Sequence, residues 1–411
     1  MEVYQSLVEH VLRTGTHKPN RTGVDTISTF NYNYEIDLRK GYPLLTTKKM
    51  DTFRWNSMLH ELFWYFSGEH HIRKLSEETG IWDAWADDSL ALPTAYGRFW
   101  RRYPVPEQTA HLDGEAWADD DMPWVTDERE YFLNFDSKPS EDVALRRTED
   151  LLPDNEKWTF SELRQLDTIE ETTVRFTAPE GFDKRHSIQA DDVSLQSAVY
   201  GTGRVVDQLE YVVKTLKGEN PNRSPHSRRL VVNAWHPANA IVSTLPPCHY
   251  TFAFNVQDDT LHLHLTQRSA DIALGVPFNI ACYAAILKLV AKETGFKMGK
   301  FAHSLVDAHA YCGEGERGEW YAENLDALQS DLYRATGADD YEAVLNQIEE
   351  KAPADPDTKD HVPNLLRQLM RTPYERPTLE IADKPMNSLT TDDFTLTDYE
   401  SHDPLSFGVA E

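Results

Sequence analysis

Residues 246–271 read PPCHYTFAFNVQDDTLHLHLTQRSAD. From Tyr250 to Val256 apolar and polar side chains alternate, Gln257-Asp258-Asp259 interrupts the pattern, and Thr260 to Thr266 alternates again. Two period-two runs joined by a short polar turn spell a β-hairpin. The pairing predicted by that pattern returns Arg268 to the neighbourhood of Cys248. Residues 276–294 then read as a buried helix, with Pro277 near the first turn, small Ala281, Ala284 and Ala285 inside, and Gly295 at the end.

Working outward, Val3, Tyr4, Leu7, Val8, Val11 and Leu12 follow helical spacing up to Gly15. Asn20-Arg21-Thr22-Gly23 reads as a turn that holds Arg21 on a loop, and Thr26 to Leu38 as a strand. Residues 52–67 read as a helix whose apolar stripe (Met58, Leu59, Leu62, Phe63, Phe66) runs beside Glu61. Residues 104–198 change character. Acidic residues greatly outnumber basic ones there, with Asp119-Asp120-Asp121, Glu170-Glu171 and Asp191-Asp192, and no long periodic segment stands out. This stretch reads as a partly ordered surface insertion, and 313–360 as a second such stretch. The chain then divides into a first catalytic part (1–103), the acidic insertion, a core part with the thiol (199–312), the second insertion and a C-terminal part (361–411).

The chain has 411 residues, 40% of them hydrophobic and 11% aromatic, enough for a sizeable core. No apolar run approaches the roughly 20 residues of a membrane span, and Met1-Glu2-Val3-Tyr4 opens no secretory signal. A cytoplasmic protein is expected. Three cysteines, Cys248, Cys282 and Cys312, are too few for a disulfide framework. A net charge of −27 argues against a broad nucleic-acid-binding face. It fits either an acidic partner-binding surface or life in a salt-rich cytoplasm, and its spread over several segments favours the second.

Three stretches carry chemistry. A nucleophilic cysteine needs exposure and nearby positive charge, and Pro246-Pro247 give Cys248 a rigid approach to a strand. Gln267-Arg268-Ser269-Ala270-Asp271 places an anion-binding Arg and Ser beside a carboxylate. Ser227-Arg228-Arg229 leads into an apolar strand, so both arginines cannot point into one core. A solvated strand end and a surface ion pair are the plain alternatives for the last two. Histidines are scattered, and no spacing resembles a zinc site.

Taken together these stretches resemble the thymidylate synthases. The likeness runs through Asn20-Arg21-Thr22-Gly23, Pro43-Leu44-Leu45-Thr46-Thr47-Lys48, His60-Glu61-Leu62-Phe63-Trp64, Ile81-Trp82-Asp83, Tyr96-Gly97, Ser227-Arg228-Arg229, Pro247-Cys248-His249, Gln267-Arg268-Ser269, Gly275-Val276-Pro277-Phe278-Asn279 and Asp307-Ala308-His309-Ala310-Tyr311, in the family order. The resemblance implies an α/β (α+β) fold, a large mixed β-sheet with surrounding helices, and a homodimer packed sheet to sheet. It implies methylation of dUMP to dTMP with 5,10-methylenetetrahydrofolate, and no metal. Cys248 would attack uracil C6 with Arg268 favouring its thiolate. Asn279 would pair with O4 and N3–H of the base, Glu61 would assist proton transfer, and Tyr96 would help remove the C5 proton. Arg21, Arg228, Arg229, Arg268 and Ser269 would clamp the phosphate, the paired arginines reaching across from the second subunit. His309 and Tyr311 would hold the sugar, while Ile81, Trp82, Asp271, Gly275 and Phe278 would meet the folate. One departure is the C-terminus, Phe407-Gly408-Val409-Ala410-Glu411, which ends on an acid where the family usually ends on apolar residues.

Three rivals weigh less. A deoxycytidylate hydroxymethylase needs an acceptor for the cytosine amino group where Asn279 stands. A catalytically silent nucleotide-binding or interaction relative would be expected to lack Cys248, Glu61 or Arg268. A cysteine hydrolase would need His249 as base, yet neighbours in a strand point to opposite faces.

The charge yields a prediction. The Debye length is about 30 Å at 0.01 M salt and about 3 Å at 1 M, so salt removes most of the self-repulsion of so acidic a surface. The melting temperature should rise between about 0.1 M and 3 M potassium chloride. A flat or falling series would overturn the high-salt reading in favour of an acidic partner-binding surface.

Overall fold

The hairpin forms where alternation puts it. Thr251–Gln257 pairs antiparallel with Thr260–Gln267, Thr251 opposite Thr266 and Gln257 opposite Thr260. Asp258 takes φ 54° in the turn, a left-handed conformation that Asp tolerates and that suits the twist of a tight hairpin. Phe252, Phe254, Val256, Leu261, Leu263 and Leu265 turn to the buried face. The computed structural model of the chain describes all residues except 21, 51, 70, 87–89, 91, 93–94, 105–124, 128–129, 136–139, 152–158, 166–171, 178–192, 199–203, 244 and 411.

A parallel neighbour needs a crossover. The helix Gly275–Thr294 supplies it, carrying the chain to the long strand Lys297–Glu314, which lies parallel to Thr260–Gln267. Nearly every side chain from Val276 to Ala291 is buried, and Gly295 ends the helix at φ 78°. This helix is long and apolar enough to cross a membrane, but here it packs inside the core. Across the sheet the order is Thr16–Lys18, Val24–Asp37, Lys297–Glu314, Thr260–Gln267, Thr251–Gln257 and Val231–Asn233, with the short Ala270–Asp271 beside Lys297–Glu314. That short pair is also parallel and the remaining pairs are antiparallel, so the sheet is mixed as expected.

Helices cover the sheet. Glu2–Thr14 buries Tyr4, Leu7, Val8, Val11 and Leu12, the residues whose spacing defines it. The helices Thr52–Ser67 and Tyr96–Arg101 lie backbone against backbone. A Cβ on Gly97 would stand 2.1 Å from the Tyr65 carbonyl oxygen, so only glycine permits this approach.

The stretch 313–360 is more ordered than its composition suggests, and the described residues of 104–198 also hold regular elements. Within 104–198 the described residues include a helix, Glu141–Leu151, and a four-stranded antiparallel sheet in the order Thr159–Gln165, Thr172–Thr177, Glu130–Phe135, Val193–Ala198. Leu133, Phe135, Ala144, Thr148, Val174 and Val193 are buried in it. The stretch 313–360 forms two amphipathic helices, Glu316–Arg334 and Ala338–Lys351. Tyr321, Leu325, Leu328 and Leu332 on the first, with Tyr341, Val344, Leu345 and Ile348 on the second, join the main core. Their exposed faces are so acidic that the apolar stripe is hard to see among the charges. The buried Arg317–Asp360 ion pair, at 2.7 Å, ties the first helix to the residue before His361.

Ile348 tests this packing because it is fully buried and remote in sequence from the site residues. Ile348→Ala should cost about 2–4 kcal/mol, read from denaturant unfolding at fixed molar salt. A loss below about 0.5 kcal/mol, the range of ordinary surface substitutions, would mean the segment contributes nothing to the core.

Candidate active site

Cys248 sits at the open end of the hairpin, half-buried, after two prolines. The strand pairing continues one step further, because the Arg268 N–H donates to the Cys248 carbonyl at 2.8 Å. The guanidinium is then fixed by backbone oxygens. Its Nε donates to Pro247 O at 3.0 Å, and one terminal nitrogen donates to Pro246 O at 2.7 Å and lies 3.7 Å from Cys248 Sγ. Trp235 lies against the same group, 5.8 Å from guanidinium carbon to ring centroid. Neutral carbonyls hold the arginine without cancelling its charge, so the charge faces the thiol.

On the other side of Cys248 the backbone N–H donates to Tyr96 Oη at 2.7 Å. Tyr96 stands at the start of the helix that Gly97 lets settle against Thr52–Ser67. Burial above all, with the adjacent Cys248, keeps its phenol well above the ordinary range, so it acts as a neutral hydroxyl. His249 points away from the thiol. It stacks on Tyr96, centroids 3.8 Å apart, and shares a 2.7 Å hydrogen bond with the Tyr283 hydroxyl. Burial pulls its pKa down to about 3, so it stays neutral and structural.

Glu61 lies on the partly buried side of Thr52–Ser67, where its carboxylate accepts from Trp82 Nε1 at 2.7 Å. Burial lifts its pKa to about 7, although hydrogen bonds from Tyr65 and Trp82 pull the other way. A carboxyl poised there can hold or release a proton near neutrality. Trp82 belongs to an aromatic group with Trp64, Trp85 and Tyr96, and Ile81 next to it is only partly buried.

A second cluster forms around Asp271. The register sets Asp271 beside His309 on the long strand, and the Asp271 carboxylate accepts from the Ala273 and Leu274 N–H groups at 2.8 and 3.2 Å. Burial would raise its pKa, but His361, His309 and the Ala273 N–H outweigh it and hold it low. Gly275 opens the next turn, where a Cβ would come 3.8 Å from Asn279 Oδ1 and 4.0 Å from Asp271 Cβ. Asn279 and Phe278 are partly buried at the head of the core helix. His309 bonds Asp307 at 3.1 Å and meets Tyr311 edge-on at 5.3 Å.

The structure therefore gathers Cys248, Arg268, Tyr96, Glu61 and Trp82 in one linked group, and Asp271, Gly275, Asn279, His309 and Tyr311 in another. Ser269 joins them in sequence, between Arg268 and the short strand. Arg228 and Arg229 are exposed on a separate loop, where they line a shallow cavity of about 350 Å³ with Asn222, Arg223, Ser224, His226 and Ser227. Arg21 lies outside the described residues. Sequence reading left two participants without roles. Lys48 is buried, with burial lowering its pKa to about 7 against the pull of Asp271, and it donates to Ala273 O. His361 lies 3.7 Å from Asp271, and only its place at the end of an acidic stretch, next to Asp360, could have hinted at it. Among the described residues no three His, Cys, Asp or Glu side chains form a metal group.

A thiol beside a fixed cation, with its neighbouring imidazole buried and turned away, suits covalent attack on an electron-poor ring better than hydrolysis. The class is a transferase on a mixed α/β sheet. The family model for thymidylate synthase matches residues 2–411. The thymidylate synthase of Haloferax volcanii is 50% identical over 408 residues, covering 98% of this chain and 95% of that protein. That of Listeria monocytogenes serotype 4b (strain CLIP80459) is 30% identical over 401 residues, covering 97% and 94%. The chain belongs to the thymidylate synthase family. It is thus a methyltransferase that makes dTMP from dUMP, with 5,10-methylenetetrahydrofolate as cosubstrate.

Glu61 carries a pH signature. Its folded pKa of about 7 lies above the ordinary 4.5, so the native state favours the protonated acid. Its contribution to stability is complete below pH 4.5 and is lost as pH rises through 7, at no more than about 1.4 kcal/mol per pH unit. Glu61→Gln should abolish that loss and remove a kcat/KM limb near pH 7. Identical pH profiles for wild type and Glu61→Gln, in stability and in rate, would show that Glu61 does not titrate there.

Proposed function

We propose that Cys248 is the nucleophile that attacks C6 of dUMP, and that the fixed Arg268 guanidinium, 3.7 Å from its sulfur, is what makes it reactive. This contact carries the reading. Forming the C–S bond moves electron density to C5 and O4, and C5 then takes up the one-carbon unit. The cosubstrate supplies that unit and the hydride that completes the methyl group, and leaves as dihydrofolate, while the C–S bond breaks and returns the Cys248 thiolate. Asn279 donates to O4 and accepts from N3–H, which selects uracil over cytosine. Glu61 moves protons near O4 and the folate nitrogens. The Tyr96 hydroxyl, whose oxygen already accepts from the Cys248 N–H, assists removal of the C5 proton.

Each ligand draws on both clusters. Arg268, Ser269, Arg21, Arg228 and Arg229 neutralise the phosphate, and His309 and Tyr311 hold the sugar. Asp271, Gly275, Ile81, Trp82 and Phe278 take the folate, with Asp271 bonding the pterin. Arg228 and Arg229 stand exposed on their own loop, which favours their serving a partner's site in a homodimer packed sheet to sheet. Phe30, 84% exposed on Val24–Asp37, and Val306, 40% exposed on the neighbouring Lys297–Glu314, are apolar residues that such packing would cover. Free Cys248, Cys282 and Cys312 suit a reducing cytoplasm. The charge of −27 suits a salt-rich one and disfavours DNA, and the relative from Haloferax volcanii supports the high-salt reading. The segments 104–198 and 313–360 are additions to a catalytic unit formed by the rest.

Complementation tests the reading. Cys248→Ala should lose turnover yet bind dUMP within a few-fold, since the phosphate and sugar contacts remain. Arg229→Ala should raise KM for dUMP. Mixed dimers of the two should regain activity, because one of their two sites is whole. Failure to regain activity after confirmed subunit exchange would sink the shared site, and residual turnover by Cys248→Ala alone would sink the nucleophile.

A further inference from the structure

We propose that the acidic two-helix excursion between Tyr311 and His361 is a selectivity element for the sugar. Arg317, Tyr321 and Asp360 are its positioning residues: they clasp the excursion shut and so set Tyr311 against the 3′-hydroxyl. The proposal rests on the assignment of Tyr311 to the sugar.

The chain leaves the sheet just past Tyr311 and returns beside it. Tyr311 lies near the end of the strand Lys297–Glu314, and the helix Glu316–Arg334 follows at once. On the way back Cys312 pairs antiparallel with Asp360, and the His361 N–H donates to Tyr311 O at 2.9 Å. The His361 ring meets the Tyr311 ring edge-on at 5.3 Å. The returning leg therefore holds Tyr311 by both its carbonyl and its ring. Closing so long a loop costs chain entropy, so specific bonds at the junction must hold the leg in place.

Those bonds converge on Asp360, whose side chain is fully buried. One carboxylate oxygen accepts from Arg317 Nε at 2.7 Å and from the Tyr321 hydroxyl at 2.8 Å, and a terminal nitrogen of Arg317 lies 2.7 Å from it. The other oxygen accepts from the Val362 N–H at 2.9 Å. Every one of these neighbours donates, so the place suits an ionised carboxylate. Arg317 and Tyr321 stand one turn apart on Glu316–Arg334, so one face of that helix presents both. Arg317 also donates to Pro353 O, beyond the second helix Ala338–Lys351, and so ties both helices to the junction. Gly313, at φ 92°, leaves room for the arginine stem: a Cβ there would come 2.9 Å from Arg317 Cγ and 3.0 Å from its Cβ. Nearer the surface Asp355 accepts from the Lys359 and Asp360 N–H groups at 3.1 and 2.8 Å, and Lys359 Nζ lies 2.9 Å from Glu314. Salt screens the Lys359–Glu314 pair, but the buried bonds on Asp360 are screened far less and persist at molar salt. Loss of a donor there leaves a buried charge short of a partner. The leg would shift toward water and draw the His361 N–H and ring away from Tyr311.

The test is a selectivity ratio at molar salt: kcat/KM for dUMP divided by kcat/KM for 2′,3′-dideoxyuridine 5′-monophosphate, which lacks only the 3′-hydroxyl. Tyr321→Phe keeps the ring and removes one donor to Asp360. It should lower the ratio about fivefold, the scale of one hydrogen bond, with kcat/KM for the dideoxy analogue within about twofold of wild type. Arg317→Met should lower the ratio further, and Tyr321→Phe alone decides the matter if Arg317→Met does not fold. Ile348→Ala loosens the same helices away from the clasp, so it should melt earlier yet keep the wild-type ratio. An unchanged ratio in Tyr321→Phe, or an equal fall in Ile348→Ala, would overturn the proposal. Tyr311→Phe separates the two ideas. If it lowers the ratio while Tyr321→Phe does not, only the clasp fails. If it leaves the ratio unchanged, the sugar assignment fails and the proposal falls with it.

Discussion

The antiparallel register of Thr251–Gln257 with Thr260–Gln267 governs the site. It extends to the bond between the Arg268 N–H and the Cys248 carbonyl, which brings two residues twenty positions apart to 3.7 Å between guanidinium and sulfur. Slipping the register by one residue would turn Phe252, Phe254, Leu263 and Leu265 out of the core. The buried face therefore enforces the contact between guanidinium and thiol, and the site inherits the precision of the sheet. The Pro246 and Pro247 carbonyls complete the arrangement by holding the arginine with uncharged acceptors.

Burial then tunes the groups around that contact in opposite senses. The Glu61 carboxyl rises to about 7 and the Lys48 amine falls to about 7, because desolvation penalises whichever form is charged. His249 is pushed down to about 3 and so removed from proton chemistry. Asp271 alone among them stays low, because two histidines and a backbone N–H offset its burial. The difference between Glu61 and Asp271 is one of neighbours rather than depth. One is left as a proton carrier, and the other as a fixed anion.

The acidic composition shapes the surface without loosening the fold. In Glu316–Arg334 and Ala338–Lys351 carboxylates crowd the outer faces, while tyrosines, leucines, a valine and an isoleucine line the inner ones. Screening by salt leaves the stripe to act, and the stripe carries the helices onto the core. Their terminal loop meets the C-terminal segment at Gly408.

Local pattern determined much of this protein. Alternation on either side of Gln257-Asp258-Asp259, the helix opened by Pro277 and closed by Gly295, and the order of short motifs were legible because they depend on neighbours in the chain. They were enough to single out Cys248, Arg268 and Glu61 as candidates. The acidic helices were misread, because charges dominate composition while a few apolar residues decide packing. Only the tertiary structure showed the bond from His361 to Gly408 O and that from buried Lys48 to Ala273 O. Each joins distant parts of the chain through a backbone carbonyl. A carbonyl is the same at every position, so nothing in the order of side chains says which one will accept the bond.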